Sequence, residues 1–458
     1  MSDLSKIVKA YDVRGTTPDQ LNEAVARAIG TAFVQVLTER GDKADRIVIA
    51  HDMRESSPAL AEAFAAGANA VGAEVLHGGL ASTDLLYYAS GALDLPGAMF
   101  TASHNPAQYN GIKMCRAGAA PIGQDSGLTE IRDRAQALLD SGDVPTGERR
   151  IERHELLADY AAHLRTLVDL ARIRPLKVVV DAGNGMGGYT VPAVLGDSVL
   201  PALPLTIVPM YFELDGSFPN HEANPLNPEN IVDLQKAVRE HNADLGLAFD
   251  GDADRCFVVD ERGEPVSPSA ITALVATREL AKHPGEVVIH NLITSSAVPE
   301  IVRENGGEPV RARVGHSFIK AEMARTNAVF GGEHSAHYYF RDFWFADTGM
   351  LAAMHMLAAL GEQDKPLSEL AHEYERYVAS GEINSTVTDQ QAKLAEVKAA
   401  YAGADTDELD GLTVRFDDGA WINLRASNTE PLLRLNVEAP STERMVELRD
   451  KVLALVQG

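Results

Sequence analysis

From Arg46 to Val314, apolar runs of strand length alternate with stretches of helical spacing, and this alternation narrows the fold more than any other feature. Arg46–Ala50 reads as a strand, Pro58 opens a helix, and strand–helix–strand repeats to Phe100. A helix is expected before them, from Thr17-Pro18 through Leu21 to about Leu37. The pattern resumes with strands at Lys177–Asp181 and Leu205–Tyr211, a helix at Pro228–Asn242 and a strand at Leu245–Phe249. It returns a third time with a strand at Glu286–His290, a helix at Ser296–Asn305 and a strand ending at Arg311–Val314. Strands that take turns with helices form a mixed or parallel sheet covered by helices. From Lys365-Pro366 the pattern changes to a small α+β unit with a hairpin at Leu412–Phe416 and Trp421–Leu424. The polar stretch Pro145–Arg150 reads as a linker, and a helix from about Glu155 to Leu170 leads into the next unit.

At 458 residues the chain is too long for one core. Four domains are expected, at 1–150, 151–255, 256–365 and 366–458. Apolar content of 45% and charged content of 23% are those of a globular chain. A formal net charge of −25 argues against nucleic acid or an anionic membrane as partner. It leaves room for an anionic small substrate wherever the surroundings are locally positive. No apolar run approaches the roughly 18 residues of a membrane span, and Met1–Lys6 lacks an apolar leader core. With two cysteines, Cys115 and Cys256, a disulfide framework is not expected, and a reducing cytoplasm is.

Four polar loops interrupt the apolar pattern. Thr101-Ala102-Ser103-His104-Asn105-Pro106 follows the strand end Ala98–Phe100 and continues to Tyr109-Asn110-Gly111-Ile112-Lys113, with turn formers throughout. A serine on a rigid loop can carry a phosphoryl group, and a tuned lysine can move a proton for it. Asp250-Gly251-Asp252-Ala253-Asp254-Arg255 leaves the strand Leu245–Phe249, and its alternation aims three carboxylates at one cation. Calcium loops share that spacing, down to Glu261 at the twelfth place, but Arg255 stands where they need glycine, and strands rather than helices flank it. Mutual repulsion beside an apolar strand demands a counter-charge, and Mg2+ with open sites for phosphate fits. In Gly332-Glu333-His334-Ser335-Ala336-His337, strand alternation would put Glu333, Ser335 and His337 on one side, a set suited to sugar hydroxyls. Arg425-Ala426-Ser427-Asn428-Thr429 has the donors of an anion nest. Gly183, Gly185 and Gly188 fit a dinucleotide fingerprint, but the acidic residue that should end the next strand comes late, at Glu213. A tight strand-to-helix turn is the preferred reading.

Taken together and in this order, the four loops resemble the α-D-phosphohexomutases, most closely their phosphomannomutase/phosphoglucomutase branch. The resemblance spans Tyr11 to Thr429. It implies three consecutive mixed-sheet α/β domains plus a C-terminal α+β domain around a central cleft, the last a phosphate-binding lid. It implies interconversion of mannose 6-phosphate and mannose 1-phosphate through phosphorylated Ser103 and a hexose 1,6-bisphosphate, which also serves as activator. By position, Lys113 and His316 are the acid/base candidates, His104 supports the phosphoserine, and Arg255 flanks the metal loop. Asp250, Asp252, Asp254 and Ser103 would hold Mg2+. Tyr11 and Arg14, then Glu333, Ser335 and His337, and finally Arg425, Ser427, Asn428 and Thr429 would bind the hexose phosphate. Two departures bear on sugar preference rather than on reaction class. The stretch His290–Ser296 lacks the lysine that family members carry, with Lys320 weighed in its place, and the loop reads Glu-His-Ser-Ala-His instead of Glu-Met-Ser-Gly-His. The alternatives are a phosphoglucomutase, a phosphoglucosamine mutase, a metal-dependent sugar phosphatase, or a sugar-phosphate-binding regulator without turnover. None of these loops is a P-loop, which leaves a simple kinase without its nucleotide site.

Overall fold

The computed structural model describes residues 3–427 and 432–458. The chain separates into two units, Met1–Val266 with Ser335–Ser368, and Ser267–His334 with Glu369–Gly458.

The first unit is built on two mixed sheets. In one, β1 (Val13–Thr16), β2 (Arg46–His51), β3 (Glu74–Leu80), β4 (Gly97–Phe100), β5 (Tyr109–Arg116), β6 (Ala120–Pro121) and β7 (Ile151–Arg153) lie in the order β1-β5-β4-β2-β3-β7, with β6 on β5. Strands β4, β2, β3 and β7 are parallel, and β5 returns antiparallel to β4. Ile47, Val48, Ile49 and Ala50 are fully buried, as parallel strands covered on both faces must be. In the other sheet, β8 (Leu176–Asp181), β9 (Leu205–Met210), β10 (Leu245–Phe249), β11 (Cys256–Asp260) and β12 (Pro265–Val266) run β12-β11-β10-β8-β9. β10 and β11 form an antiparallel hairpin, so the acidic loop is its turn. Downstream, Tyr338–Phe340 and Ala346–Asp347 pair antiparallel before the buried helix Gly349–Gly361.

The second unit has a parallel array, Glu308–Ala312, Val287–Asn291 and Phe330–Gly332, with Val287–Asn291 central. Its other sheet is antiparallel, in the order Val378–Ala379, Leu432–Ala439, Trp421–Ala426, Leu412–Arg415, Asp405–Asp407, with Ile383–Thr386 also on Leu432–Ala439. Helices Gln390–Ala400 and Thr442–Gln457 contribute Val397, Leu448 and Val452 to its core. The fold is thus α/β with mixed sheets and an α+β C-terminal portion. No helix among the described residues is long and apolar enough to cross a membrane.

The structure corrects two sequence readings and adds a strand to a third. The first long helix begins at Glu23, not at Thr17-Pro18, because Asn22 caps it by accepting from the Val25 amide. Pro145–Arg150 has no secondary structure, as a linker should, but a strand that the sequence reading did not include, Ile151–Arg153, follows it and pairs parallel with β3. Residues 333–337 are not a strand: Phe330–Gly332 ends just before them, and Ala336 at φ 64° turns the chain. Strand alternation therefore does not align Glu333, Ser335 and His337.

The central strand Val287–Asn291 also sets a pH response. His290 is buried, and burial pushes its pKa down to about 4, with Arg311 and Arg303 acting in the same direction. The folded protein keeps this ring neutral, so the unfolded chain binds the proton first as the pH falls. The contribution is complete above about pH 6.5 and is lost progressively toward pH 4, by about 3 kcal/mol at most. Urea unfolding followed by Trp421 fluorescence in a Trp344→Phe background should show a midpoint that drops between pH 7 and 4.5. His290→Asn should flatten that slope.

Candidate functional site

Strand β4 delivers Ser103, and a buried arginine shapes its loop. Arg54, 2% exposed, donates from Nη2 to the carbonyls of Ser103 (2.9 Å) and Asn105 (2.6 Å). Its Nη1 donates to those of Pro106 (2.9 Å) and Tyr109 (3.0 Å). Asp52, buried beside it, balances the charge at 3.2 Å. Four carbonyls converging on one planar cation fix the loop as a rigid arch. Ser103 sits at the top with φ 51°, its amide held by the Thr101 hydroxyl at 3.0 Å. Sequence reading overlooked Arg54. The available signal was the polar run His51-Asp52-Met53-Arg54 directly after the buried strand β2.

The acidic loop meets this arch backbone to backbone. A Cβ on Gly251 would lie 2.3 Å from the Ser103 carbonyl, and one on Gly185 would lie 2.6 Å from the Gly251 carbonyl. The Gly183–Gly188 turn is therefore small because it packs under the acidic loop. The approach brings Ser103 Oγ to 2.9 Å from Asp250 Oδ2 and 3.1 Å from His104 Nδ1. Arg255 donates from Nε to Asp250 (2.9 Å) and from Nη2 to His104 Nδ1 (2.7 Å). Burial, reinforced by Arg255 and Arg14, holds His104 well below its ordinary pKa, so Nδ1 stays an acceptor. Arg14 donates to the Asn105 side chain (2.7 Å) and pairs with Asp12, while Tyr11 beside it is partly exposed.

Lys113 Nζ lies 2.7 Å from Asp252 Oδ2 and 2.6 Å from Asp254 Oδ2. Burial alone would lower its pKa, but the two carboxylates outweigh burial and hold it well above the ordinary range. The group therefore stays an ammonium here, a counter-charge to both carboxylates. Burial pushes Asp250 up to about 7, with Asp254 and Asp252 adding to it against the pull of Arg255. Asp252 goes the other way: burial would raise it, and Lys113 pulls it below the usual carboxylate range. The three aspartates each offer an oxygen within 4.8 Å of the others. Asp252 Oδ1 and Asp254 Oδ1 are buried without hydrogen-bond partners. Such converging, under-satisfied hard oxygens suit a divalent cation.

Two supports behind the loop escaped sequence reading. Thr83 donates its hydroxyl to Asp252 Oδ2 (2.6 Å) and its amide to the Asp252 carbonyl (3.0 Å). The neighbouring Asp84 is buried, pushed up to about 6 by that burial, and accepts from Ser82, Tyr160 and Thr348. Thr348 in turn caps the helix Gly349–Gly361. His337 Nδ1 lies 3.0 Å from Asp347 Oδ2 and 4.0 Å from Asp254 Oδ1. The first unit thus gathers Ser103, His104, Lys113, Asp250, Asp252, Asp254, Arg255, Arg14 and His337 in one connected set. Ser335 lies in the turn before His337, half-buried.

In the second unit, His316 is the first residue of the helix His316–Thr326, with Lys320 buried one turn on. Glu333 is buried and accepts from Asn291 Nδ2 and the Gly315 amide, each at 3.3 Å. Arg425 donates to Glu382 Oε2 at 3.1 Å, with Asp410 at 4.0 Å. The Ser427 amide donates to the Leu432 carbonyl at 2.9 Å. Asn428 and Thr429 lie outside the described residues.

A serine hydroxyl hydrogen-bonded to a carboxylate cluster, with cations around it on an α/β scaffold, is an arrangement suited to phosphoryl transfer. Family models for the phosphoglucomutase/phosphomannomutase α/β/α domains I, II and III match residues 5–140, 158–263 and 267–377. The model for that family's C-terminal domain matches residues 382–455. The chain belongs to this family of phosphohexomutases, which are intramolecular phosphotransferases. Phosphohexose mutases of Xanthomonas campestris pv. campestris are 42% identical over 456 residues, 98% of this chain and 99% of theirs. A phosphomannomutase of Escherichia coli is 38% identical over 455 residues, 98% of each chain. The crystal structure of a phosphoglucomutase/phosphomannomutase family protein from Burkholderia thailandensis superposes with a TM-score of 0.88 at 33% identity, covering 100% of this chain and 98% of that one.

Proposed function

We propose that this chain is a phosphomannomutase, interconverting mannose 6-phosphate and mannose 1-phosphate through phosphorylated Ser103. The observation that carries the reading is Ser103 Oγ, 2.9 Å from Asp250 on an arch whose surroundings hold Lys113, Arg255 and Arg14. Phospho-Ser103 gives its phosphoryl group to O6 of a hexose 1-phosphate. The P–Oγ bond breaks, the serine oxygen takes a proton, and the sugar hydroxyl loses one. The hexose 1,6-bisphosphate then turns over, and its O1 phosphate returns to Ser103. Lys113, protonated between Asp252 and Asp254, is suited to give a proton, and His316 to accept one. His104 and Arg255 orient the serine oxygen. Asp250, Asp252, Asp254 and a phosphoserine oxygen would hold Mg2+, which offsets the charge of the phosphoryl oxygens when bound. Tyr11, Arg14, Glu333, Ser335 and His337 contact the hexose phosphate. Arg425, Ser427, Asn428 and Thr429 take the phosphate that is not reacting, and Arg425 exchanges Glu382 for it. The domain division 1–150, 151–255, 256–365 and 366–458 belongs to the same proposal, as does a cytoplasmic setting.

Coupled assays on mannose 1-phosphate, glucose 1-phosphate and glucosamine 1-phosphate, with and without hexose 1,6-bisphosphate, test the reading. The highest kcat/KM is expected for mannose 1-phosphate, with stimulation by the bisphosphate. A higher value for either other sugar moves the substrate within the family. Release of inorganic phosphate in place of product makes the chain a phosphatase.

Chelation should abolish turnover and added Mg2+ should restore it, while Asp252→Asn should lower kcat by about 10²-fold or more. Survival of activity through exhaustive chelation would leave the acidic loop a structural role only. Arg425→Ala should raise KM about tenfold and increase dependence on added bisphosphate, since a hydrogen bond to a charged group is worth about 1.5–3 kcal/mol. Steady-state kinetics reads both.

A further inference from the structure

The helix Thr83–Leu93 begins with a threonine whose hydroxyl is spent outside the helix. Threonines within helices commonly return the hydroxyl to the carbonyl four residues back. Thr38, Thr272 and Thr277 do so here, to Val34 (2.8 Å), Pro268 (2.8 Å) and Ala273 (3.0 Å). Thr83 has no helical turn before it, because Ser82 is the cap and accepts from the Leu85 amide at 3.3 Å. Its hydroxyl is therefore available to a distant partner, and it donates to Asp252 Oδ2 at 2.6 Å. Its amide, one of the donors a helix cannot satisfy internally, takes the Asp252 carbonyl at 3.0 Å. One residue thus holds both the side chain and the backbone of one aspartate.

The helix end is itself anchored. Asp84, 1% exposed, accepts from Ser82, from Tyr160 (2.7 Å) of the helix Leu157–Leu167 and from Thr348 (2.7 Å), the cap of the helix Gly349–Gly361. The chemistry at Asp252 gives the grip a use. Lys113 Nζ also donates to Oδ2, at 2.7 Å, while Oδ1 is buried without a hydrogen-bond partner. The Ser103 hydroxyl bonds to the same carboxylate, so its orientation bears on the reacting oxygen as well. An ammonium on a flexible stem follows a carboxylate that turns. A β-branched side chain at an anchored helix end has little freedom to do so. We infer that Thr83 is a positioning residue of the phosphoryl-transfer centre: its hydroxyl holds back one oxygen of Asp252 and leaves the other directed at the divalent cation. The inference rests on the acidic loop being the metal site proposed above.

The test measures cation binding itself, on the full chain, by titration with Mn2+ followed through the electron paramagnetic resonance of the free ion. Mn2+ accepts the same hard oxygen ligands as Mg2+. Thr83→Val removes the hydroxyl and keeps the shape, and it should bind Mn2+ at least about tenfold more weakly than wild type. Thr83→Ser keeps the hydroxyl and should recover most of that loss. Thr31→Val deletes another buried hydroxyl, which donates to the Gly67 carbonyl at 3.0 Å, and should leave Mn2+ binding as it is. Should the Thr83→Val variant fail to fold, Thr83→Ala against Thr83→Ser makes the same comparison. Binding by the hydroxyl-free variant as tight as that of wild type overturns the inference and leaves the metal site standing. A loss that serine does not recover, or that Thr31→Val shares, also overturns it. Absence of saturable Mn2+ binding by wild type overturns the metal reading, and the inference falls with it.

Discussion

Ser103→Ala will reduce turnover at least about 10⁴-fold while leaving the fold intact. In the proposed reaction the serine oxygen forms and breaks the bond to phosphorus, and no other group in its arch is placed to replace it. Thr101 is the only other hydroxyl of the Thr101–Pro106 segment, and its Oγ1 is committed to the Ser103 amide. The structural loss is small, because the Ser103 hydroxyl bonds to the acidic loop, at Asp250 and Asp252, and to His104, and takes no part in the core. Alanine takes up the same backbone geometry, and the four carbonyl contacts of Arg54 do not depend on the side chain. Intact-mass analysis of active wild-type protein should find one phosphate, absent from the variant. Full activity in the variant would remove Ser103 from the mechanism.

Arg54→Met should destabilise the first unit by about 3–5 kcal/mol, because it leaves Asp52 as an uncompensated buried charge. It also frees the carbonyls of Ser103, Asn105, Pro106 and Tyr109, so kcat should fall at least about tenfold with a smaller change in KM. Arg54→Lys separates the two effects. The ammonium restores the charge opposite Asp52, but a point donor cannot span four carbonyls set around a planar fork. Stability should largely return while kcat stays low. If lysine restores kcat as well, the arch needs only charge and the geometric account fails. Thermal unfolding and steady-state kinetics on the three proteins decide it.

Ile47–Ala50 and Leu245–Phe249 announce themselves in the sequence, because strands buried on both faces are apolar without interruption. The loop Asp250–Asp254 is equally plain, since three carboxylates at alternate positions on an apolar strand demand a partner. What stayed hidden depends on contacts distant in the chain. Arg54 serves a loop about fifty residues away, and the polar run that holds it does not say which loop that is. Thr83 reaches Asp252 across 169 positions. Ile151-Glu152-Arg153 is too short and polar to read as a strand, and only the open edge of β3 makes it one. The segment from Glu333 to His337 misled for the opposite reason: its residue types suited an alternating strand, and one left-handed residue, Ala336, turned it.

Lys113 between Asp252 and Asp254, with Arg255 on Asp250, has a consequence for cofactor supply. Two fixed cations already answer three buried carboxylates, so the chain itself supplies most of the counter-charge that its acidic loop needs in order to fold. This is the reverse of a zinc finger, where the metal's binding energy is the folding energy. A divalent cation bound by the three aspartates would share its ligands with a resident ammonium, a competition that would keep it exchangeable rather than captive. With the metal dependence proposed above, activity would follow the free divalent-ion level of the surroundings while the amount of folded protein stays constant.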